Sequence, residues 1–343
     1  MFRRDADNST RDARATRNLK RRDRKSVVAC DSTSFSHFGF IQTRRVGSLE
    51  VSVVGLGCNN FGWRIDAEQS AKVIDAAIES GITFFDTADR YGKGQSEDFL
   101  GRALGSRRDQ IILVTKFGME MEKGQQGASP QYILEASLRR LRTDRIDLYQ
   151  LHQPDPKTPI PDTLGALDQL VRAGKVLEIG CSNFSAPQIR EAADAAKGGA
   201  HFVSVQNEFS LFHRDPENDG VLAECEARGL AFLPYFPLAS GLLTGKYRRG
   251  KKLPKGSRAA EGWGPKVFTE RNLAVVERLI ELAESRNHTV LDLAFAWLLA
   301  HKPVASVIAG ASKPEQIQAN AKAVTWKLTS DDLARIDVIM TAR

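Results

Sequence analysis

Eight short apolar runs, each followed by a stretch with helical spacing of apolar residues, point to a single α/β domain, a (β/α)8 barrel of the TIM type. The runs are rich in Val, Ile and Leu and show little polar alternation, as strands buried on both faces of a parallel sheet do. No linker rich in Gly, Pro or Ser divides the part of the chain that carries them.

The first run, 51–57, precedes an amphipathic helix over 67–80 with Ala71, Ile74, Ala77 and Ile78 on one face. A second run, 82–86, is followed by a helix near 96–104. Run 111–116 leads into a helix over 130–141, and run 146–152 into a helix over 162–173, where Pro161 suits a helix start. Run 176–181 pairs with helix 186–196, run 202–206 with helix 220–228, and run 230–235 with a helical stretch at 289–300. Run 304–309 and helix 314–323 complete the set. Outside this count, residues 42–54 are expected to form an N-terminal hairpin that plugs the bottom of the barrel. Residues 269–286 and 331–340 are expected to be extra helices toward the C-terminus.

Of 343 residues, 42% are hydrophobic and 27% charged, which suits a globular protein and neither a disordered nor a membrane-embedded one. No window approaches the roughly 18 uninterrupted apolar residues of a membrane span, so no membrane partner is expected. The net charge of +7 is uneven: residues 1–40 carry +5 and the remainder only +2. The chain therefore divides into a basic tail at 1–40, expected to be disordered, and a nearly neutral barrel domain at 41–343. The tail lacks an apolar signal core and holds five aspartates, against both secretion and organellar import, so a cytoplasmic location is expected. No aromatic residue interleaves the Arg/Lys cluster at 17–25, and nucleic acid is not an expected partner. Cys30, Cys58, Cys181 and Cys225 are spaced too irregularly for zinc or a disulfide framework, which leaves reduced thiols and no metal.

Unusual polar residues fall where strands should end: Asp86, Lys116, His152, Ser182 with Asn183, Gln206 and Tyr235. Taken singly, Asp86 reads as a turn cap, Lys116 as a surface residue and His152 as a satisfied core histidine. In a parallel barrel, however, all strand C-termini open onto one face, so these groups would meet in one mouth.

The same residues sit in blocks that resemble the aldo-keto reductase superfamily, in its bacterial NADP-dependent form. They are Phe85-Asp86-Thr87-Ala88-Asp89-Arg90-Tyr91-Gly92, Val114-Thr115-Lys116 and Asp147-Leu148-Tyr149-Gln150-Leu151-His152. Gly180-Cys181-Ser182-Asn183-Phe184, Val205-Gln206-Asn207, Pro234-Tyr235-Phe236-Pro237-Leu238 and Ile308-Ala309-Gly310-Ala311-Ser312 follow in the family's order. The resemblance spans residues 43–340 and has no counterpart for the tail. It implies reversible reduction of an aldehyde or ketone to an alcohol by hydride transfer from NADPH, with NADH as the alternative cofactor.

Carbonyl reduction needs a proton donor, and Tyr91 is the expected acid. A free phenol titrates near about 10. Lys116 is expected to lower that value, Asp86 to pair with Lys116, and His152 to orient the substrate oxygen. The resemblance assigns the same four roles. Ser182, Asn183 and Gln206 offer groups suited to the nicotinamide carboxamide, and Tyr235 an aromatic face for the ring. Gly57 and Asn59 sit at the end of strand one, within reach of nicotinamide or substrate. Pro237, Leu238, Ser240, Gly241 and Leu243 belong to a stretch that resembles the family's pyrophosphate segment.

After strand eight, Gly310, Ser312 and Lys313 lead into a helix whose N-terminus favours an anion, and the last two suggest the 2′-phosphate of NADP. Asn320 matches the adenine-contacting position. Gln316 stands where some relatives carry an arginine, and Ala319 replaces a frequent acidic residue; both departures weaken the choice of NADP over NAD. The basic, Gly-rich stretch 242–268 reads as a lid over the cofactor, with Lys246, Arg248 or Arg249 meeting phosphate.

Two motifs fail on inspection. Residues 55–62 mimic a dinucleotide fingerprint, but the third glycine is displaced and no helix starts there. Residues 241–246 are one short of a phosphate loop, and Tyr247 stands where Ser or Thr is needed. The alternative function is a non-catalytic cofactor-binding regulatory subunit, like the channel-associated β-subunits of this architecture. A full set of catalytic-type residues favours the enzyme. Mouth loops near Trp63, 119–127 and 209–213 suggest a small or medium carbonyl substrate such as a sugar or a methylglyoxal-like aldehyde; an oligomer is left open.

Overall fold

The computed structural model describes residues 41–119, 130–196, 198–262 and 267–341. The tail expectation and Cys30 lie outside these residues, as do parts of the 119–127 loop and of the lid. β1 (Thr43–Val46) and β2 (Leu49–Ser52) form an antiparallel hairpin. Its turn needs Gly47, whose φ is +58° and where a Cβ would come within 2.7 Å of Glu178 Oε1. The same carboxylate accepts from Ser48 N at 2.8 Å.

The strand and helix alternation then runs in the expected order. β3 (Val54–Gly57) leads to α1 (Ala67–Glu79), whose first turn is capped by Asp66 accepting from Gln69 N. β4 (Phe84–Asp86) is followed by α2 (Gln95–Leu104), and β5 (Ile112–Phe117) by α3 (Pro130–Leu141). β6 (Ile146–Leu151), α4 (Ile160–Arg172), β7 (Val176–Ser182), α5 (Ala186–Ala195) and β8 (Phe202–Gln206) continue the series. Next come α6 (Asp215–Asn218), α7 (Val221–Arg228), β9 (Ala231–Phe232), α8 (Glu270–Glu284) and α9 (Val290–Ala300). β10 (Val307–Gly310), α10 (Pro314–Lys322) and α11 (Ser330–Thr341) end the chain.

The eight strands from β3 to β10 are parallel neighbours in the order β10-β3-β4-β5-β6-β7-β8-β9. A Phe232–Val304 bridge joins the two ends of that order, with Phe232 N donating to Pro303 O at 2.7 Å and Ala305 N to Phe232 O at 3.0 Å. That bridge closes the barrel. One core lies between strands and helices. A second fills the bottom of the barrel, where Val46, Leu49 and Val51 of the hairpin pack with Phe84, Val114 and Leu148.

Two expected strands are corrected. Run 51–57 is split at Val53, because Ser52 exchanges hydrogen bonds with Thr83 and its hydroxyl donates to Val54 O, so Val51 and Ser52 belong to the hairpin. Run 230–235 shortens to the two residues Ala231–Phe232, although Leu233 N and Tyr235 N go on donating to Val205 O and Asn207 O. The short α6 went unforeseen, although Asp215-Pro216 is a helix-start signal.

Arg44 ties the hairpin to the closing seam by donating to the carbonyls of Leu299 and Val304. Arg44→Ala leaves both carbonyls short of a partner and is expected to cost about 1–3 kcal/mol of stability, read from urea unfolding. An unchanged unfolding midpoint would show that the clamp contributes nothing.

Candidate active site

The site is built on a buried ion pair. Lys116, inside β5, donates from Nζ to Asp86 Oδ1 at 2.7 Å and Oδ2 at 2.6 Å, and to Thr87 O at 3.0 Å. Gln206 Nε2 adds a donor to Asp86 Oδ1 at 3.1 Å. Lys116 is fully buried and Asp86 is 3% exposed. Charges so far from water persist only when they are paired and their remaining hydrogen-bonding capacity is filled. Burial works to lower the ammonium's pKa, but the Asp86 carboxylate and the Tyr91 phenol outweigh it and hold it above the ordinary lysine value.

Tyr91 opens a 3-10 turn just after β4. Gly92, Lys93 and Gly94 all take positive φ, which folds the chain back beneath the mouth; a Cβ on Gly92 would lie 2.8 Å from Phe61 O. Lys116 Nζ lies 5.3 Å from the centre of the Tyr91 ring, and the Tyr91 and His152 rings meet edge to face at 5.8 Å. The expected lowering of the phenol pKa is corrected here. Burial raises it, Lys116 draws it down, Asp86 pushes it back up, and the balance stands above the ordinary value. Burial is the largest of these effects, and Asp86 offsets part of what Lys116 draws down.

His152 follows β6 directly and is 8% exposed. Burial, then the charges of Lys116 and Arg90, hold its pKa well below the ordinary histidine value, so the ring is neutral at pH 7. Its Nδ1 is buried with no partner among the described residues.

Ser182, Asn183, Gln206 and Tyr235 form a connected rim. Asn183, at φ +60°, donates from Nδ2 to His152 O at 2.9 Å and Ser182 Oγ at 3.2 Å, and its Oδ1 accepts from Tyr235 OH at 2.8 Å. Ser182 Oγ donates to Gln206 O at 2.6 Å. The amide hydrogens of Asn183 expected at a carboxamide are thus engaged in bracing His152 and Ser182.

A cavity of about 670 Å³ runs from this end of the barrel to the start of α10. Asp86, Tyr91 and His152 line it with Gly57 and Asn59, whose Oδ1 is buried and unpartnered among the described residues; Lys116 lies behind them. Its walls continue through Ser182, Asn183, Gln206, Tyr235, Pro237 and Leu238 to Ser240, Gly241 and Lys246. At the far end are Gly310, Ser312, Gln316 and Asn320.

Two expected contacts fall elsewhere. Leu243 is fully buried in the core, and Lys313 borders an adjoining opening that shares Arg64, Gly256, Ser312 and Glu315 with the cavity. The N–H groups of Gly241 and Leu243, expected near phosphate, both donate to Leu238 O. Arg248 and Arg249 pair with Glu277 and Glu270 on α8 and anchor the lid there. The lid's Arg258 lines the cavity instead, donating to Asn60 Oδ1 at 3.3 Å with its guanidinium over Phe236. Nothing in its local sequence marks it among the lid's other basic residues. Glu315, in the first turn of α10, also faces the cavity and offsets the positive end of that helix.

The described cysteines, Cys58, Cys181 and Cys225, are buried and unpaired by disulfides. Among the described residues no cluster of His, Cys, Asp and Glu is arranged to hold a metal, and no helix is long and apolar enough to cross a membrane.

The model of the Aldo/keto reductase family matches residues 53–340. The L-glyceraldehyde 3-phosphate reductase of Escherichia coli O157:H7 is 32% identical, over 88% of this chain and 92% of its own. An aldo-keto reductase of Schizosaccharomyces pombe whose name carries NADP(+) is 35% identical, over 86% and 90%. A probable voltage-gated potassium channel subunit beta of Arabidopsis thaliana is 34% identical, over 80% and 88%. Among solved structures, the glycerol dehydrogenase AKR11B4 of Gluconobacter oxydans superposes with a TM-score of 0.76 at 33% identity, covering 88% of this chain and 95% of that one.

The depressed pKa of His152 has a measurable sign. Below the unfolded value of about 6.5 the unfolded chain takes up a proton that the folded ring refuses, so this residue destabilises the fold as pH falls and has no effect above that point. NMR of the His152 ring is expected to show no protonation step near about pH 6.5; a step there would overturn the assignment.

Proposed function

This chain belongs to the aldo/keto reductase family and is an oxidoreductase, and we propose that it reduces aldehydes or ketones to alcohols with NADPH, Tyr91 giving the proton. The observation that carries this reading is the Asp86–Lys116 pair set against Tyr91, with a neutral His152 beside the ring. Nicotinamide, when bound, supplies the hydride. Tyr91 OH protonates the alkoxide as it forms, and Lys116 stabilises the phenolate left behind. Asp86 holds Lys116 in place and keeps it charged. His152, uncharged, hydrogen-bonds the substrate oxygen and sets its position. Because the phenol pKa stands above its ordinary value, the acid is loaded throughout the neutral range, and alcohol oxidation, which needs the phenolate, rises with pH.

The cavity suits a dinucleotide in extent and in donor set. Asn59 Oδ1 offers an unspent acceptor at the catalytic end, and Ser182 and Gln206 stand beside it. Tyr235 presents its ring, Leu238, Ser240, Gly241 and Lys246 flank the middle, and Ser312, Gln316 and Asn320 the adenosine end. Arg258 favours the extra phosphate of NADPH, and the S. pombe relative named for NADP(+) supports that choice. Glu315 opposes it and narrows the preference, so NADH is accepted as well. The rest of the proposal is a small carbonyl substrate, a cytoplasmic location, a basic tail at 1–40 and a barrel domain at 41–343. It includes no metal, membrane or nucleic-acid partner. The Arabidopsis relative named as a channel subunit keeps one alternative open, a regulatory subunit that binds cofactor without turning it over.

Purified protein with NADPH and 4-nitrobenzaldehyde separates the two, since binding without loss of nicotinamide absorbance supports the regulatory role. Tyr91→Phe is expected to keep cofactor affinity, followed by nicotinamide fluorescence, and to lower kcat by about 100-fold or more. Unchanged turnover would remove Tyr91 from its role. Arg258→Ala is expected to weaken NADPH binding by about 10-fold or more and NADH binding less; equal losses would place Arg258 away from the extra phosphate.

A further inference from the structure

The proposed reaction leaves one cation at the substrate end of the cavity without a task. Arg90 immediately precedes Tyr91, is exposed, and lines the cavity beside Tyr91, His152 and Met119. Its guanidinium donates to Met119 Sδ at 3.1 Å, a neutral and weak acceptor. Among the described residues no carboxylate forms an ion pair with it, whereas Arg64 is paired with Glu261 and Arg140 with Glu97.

Neither nearby carboxylate forms an ion pair with it. Asp86 is bound to Lys116 through both oxygens. Burial and the Glu97 charge push the Asp89 carboxyl up to about 7, and its Oδ1 is buried without a partner among the described residues. Arg90 is also one of the two cations that depress the His152 imidazole, so its field reaches the ring that would meet the substrate oxygen. A guanidinium held this way presents a planar fork of donors matched to a carboxylate or a phosphate.

We propose that the preferred substrates are aldehydes bearing a carboxylate or phosphate group close to the carbonyl, held by Arg90 while Tyr91 and His152 engage the carbonyl oxygen. This rests on the reductase reading above. The anion fixes the far end of the substrate, and the two rings fix the near end, so the carbonyl is held at both ends in one orientation.

Two matched pairs test it: glyoxylate against its methyl ester, and glycolaldehyde phosphate against glycolaldehyde. The native enzyme is expected to favour the anionic member of at least one pair by about 10-fold or more in kcat/KM, mainly through KM. The pair that shows the preference identifies the anion. Arg90→Gln is expected to bring that ratio close to one, Arg90→Lys to keep part of it, and raised salt to shrink it in the native enzyme. Taking the ratio within each pair cancels any general damage from the substitution. No preference in either pair, or a preference that survives Arg90→Gln, overturns the inference and leaves the reductase reading intact. No turnover of any of the four aldehydes overturns both.

Discussion

The contact between Lys116 and Asp86 holds the site together. A lysine with no exposed surface would lose its charge to burial unless a carboxylate met it, and a carboxylate at the head of the barrel would do the same without a cation. Their mutual need fixes both side chains. Gln206 and the carbonyl of Thr87 fill the remaining positions, so three strands and the turn after β4 converge on one point. Tyr91 is placed by that same turn. The pair keeps the ammonium charged beside the phenol, and burial, more than the pair, is why the phenol keeps its proton.

The barrel was legible because its signal is redundant. Helices α1 and α4 announce themselves by apolar spacing, α4 also by Pro161 in its first turn, and β5 by Ile112-Leu113-Val114. An error arose where one hydrogen bond overrides an apolar pattern. At Ser52 the exchange with Thr83 ends one strand and begins another inside a run that reads as continuous.

The convergence of the proposed catalytic residues was legible for a different reason. Ionisable side chains at successive strand ends are rare, and barrel topology brings them together whatever the loops do. The wall proposed for the cofactor was legible only in outline. Which lid cation faces inward depends on which carboxylates of α8 capture the others, and Arg248 and Arg249 are taken by Glu277 and Glu270 while Arg258 is left over. Loop trajectories decide such pairings, and no periodicity encodes them. Asn183 teaches the same lesson, since a group that looks spare in the sequence is spent on His152 and Ser182.

The hairpin at the base has a consequence for traffic. Val46, Leu49 and Val51, packed on Phe84, Val114 and Leu148, close the floor of the barrel with apolar side chains. Whatever reaches the buried lysine enters from above, and whatever recharges the phenol arrives by the route the product takes out. Departure and recharging therefore meet at the same end of the barrel.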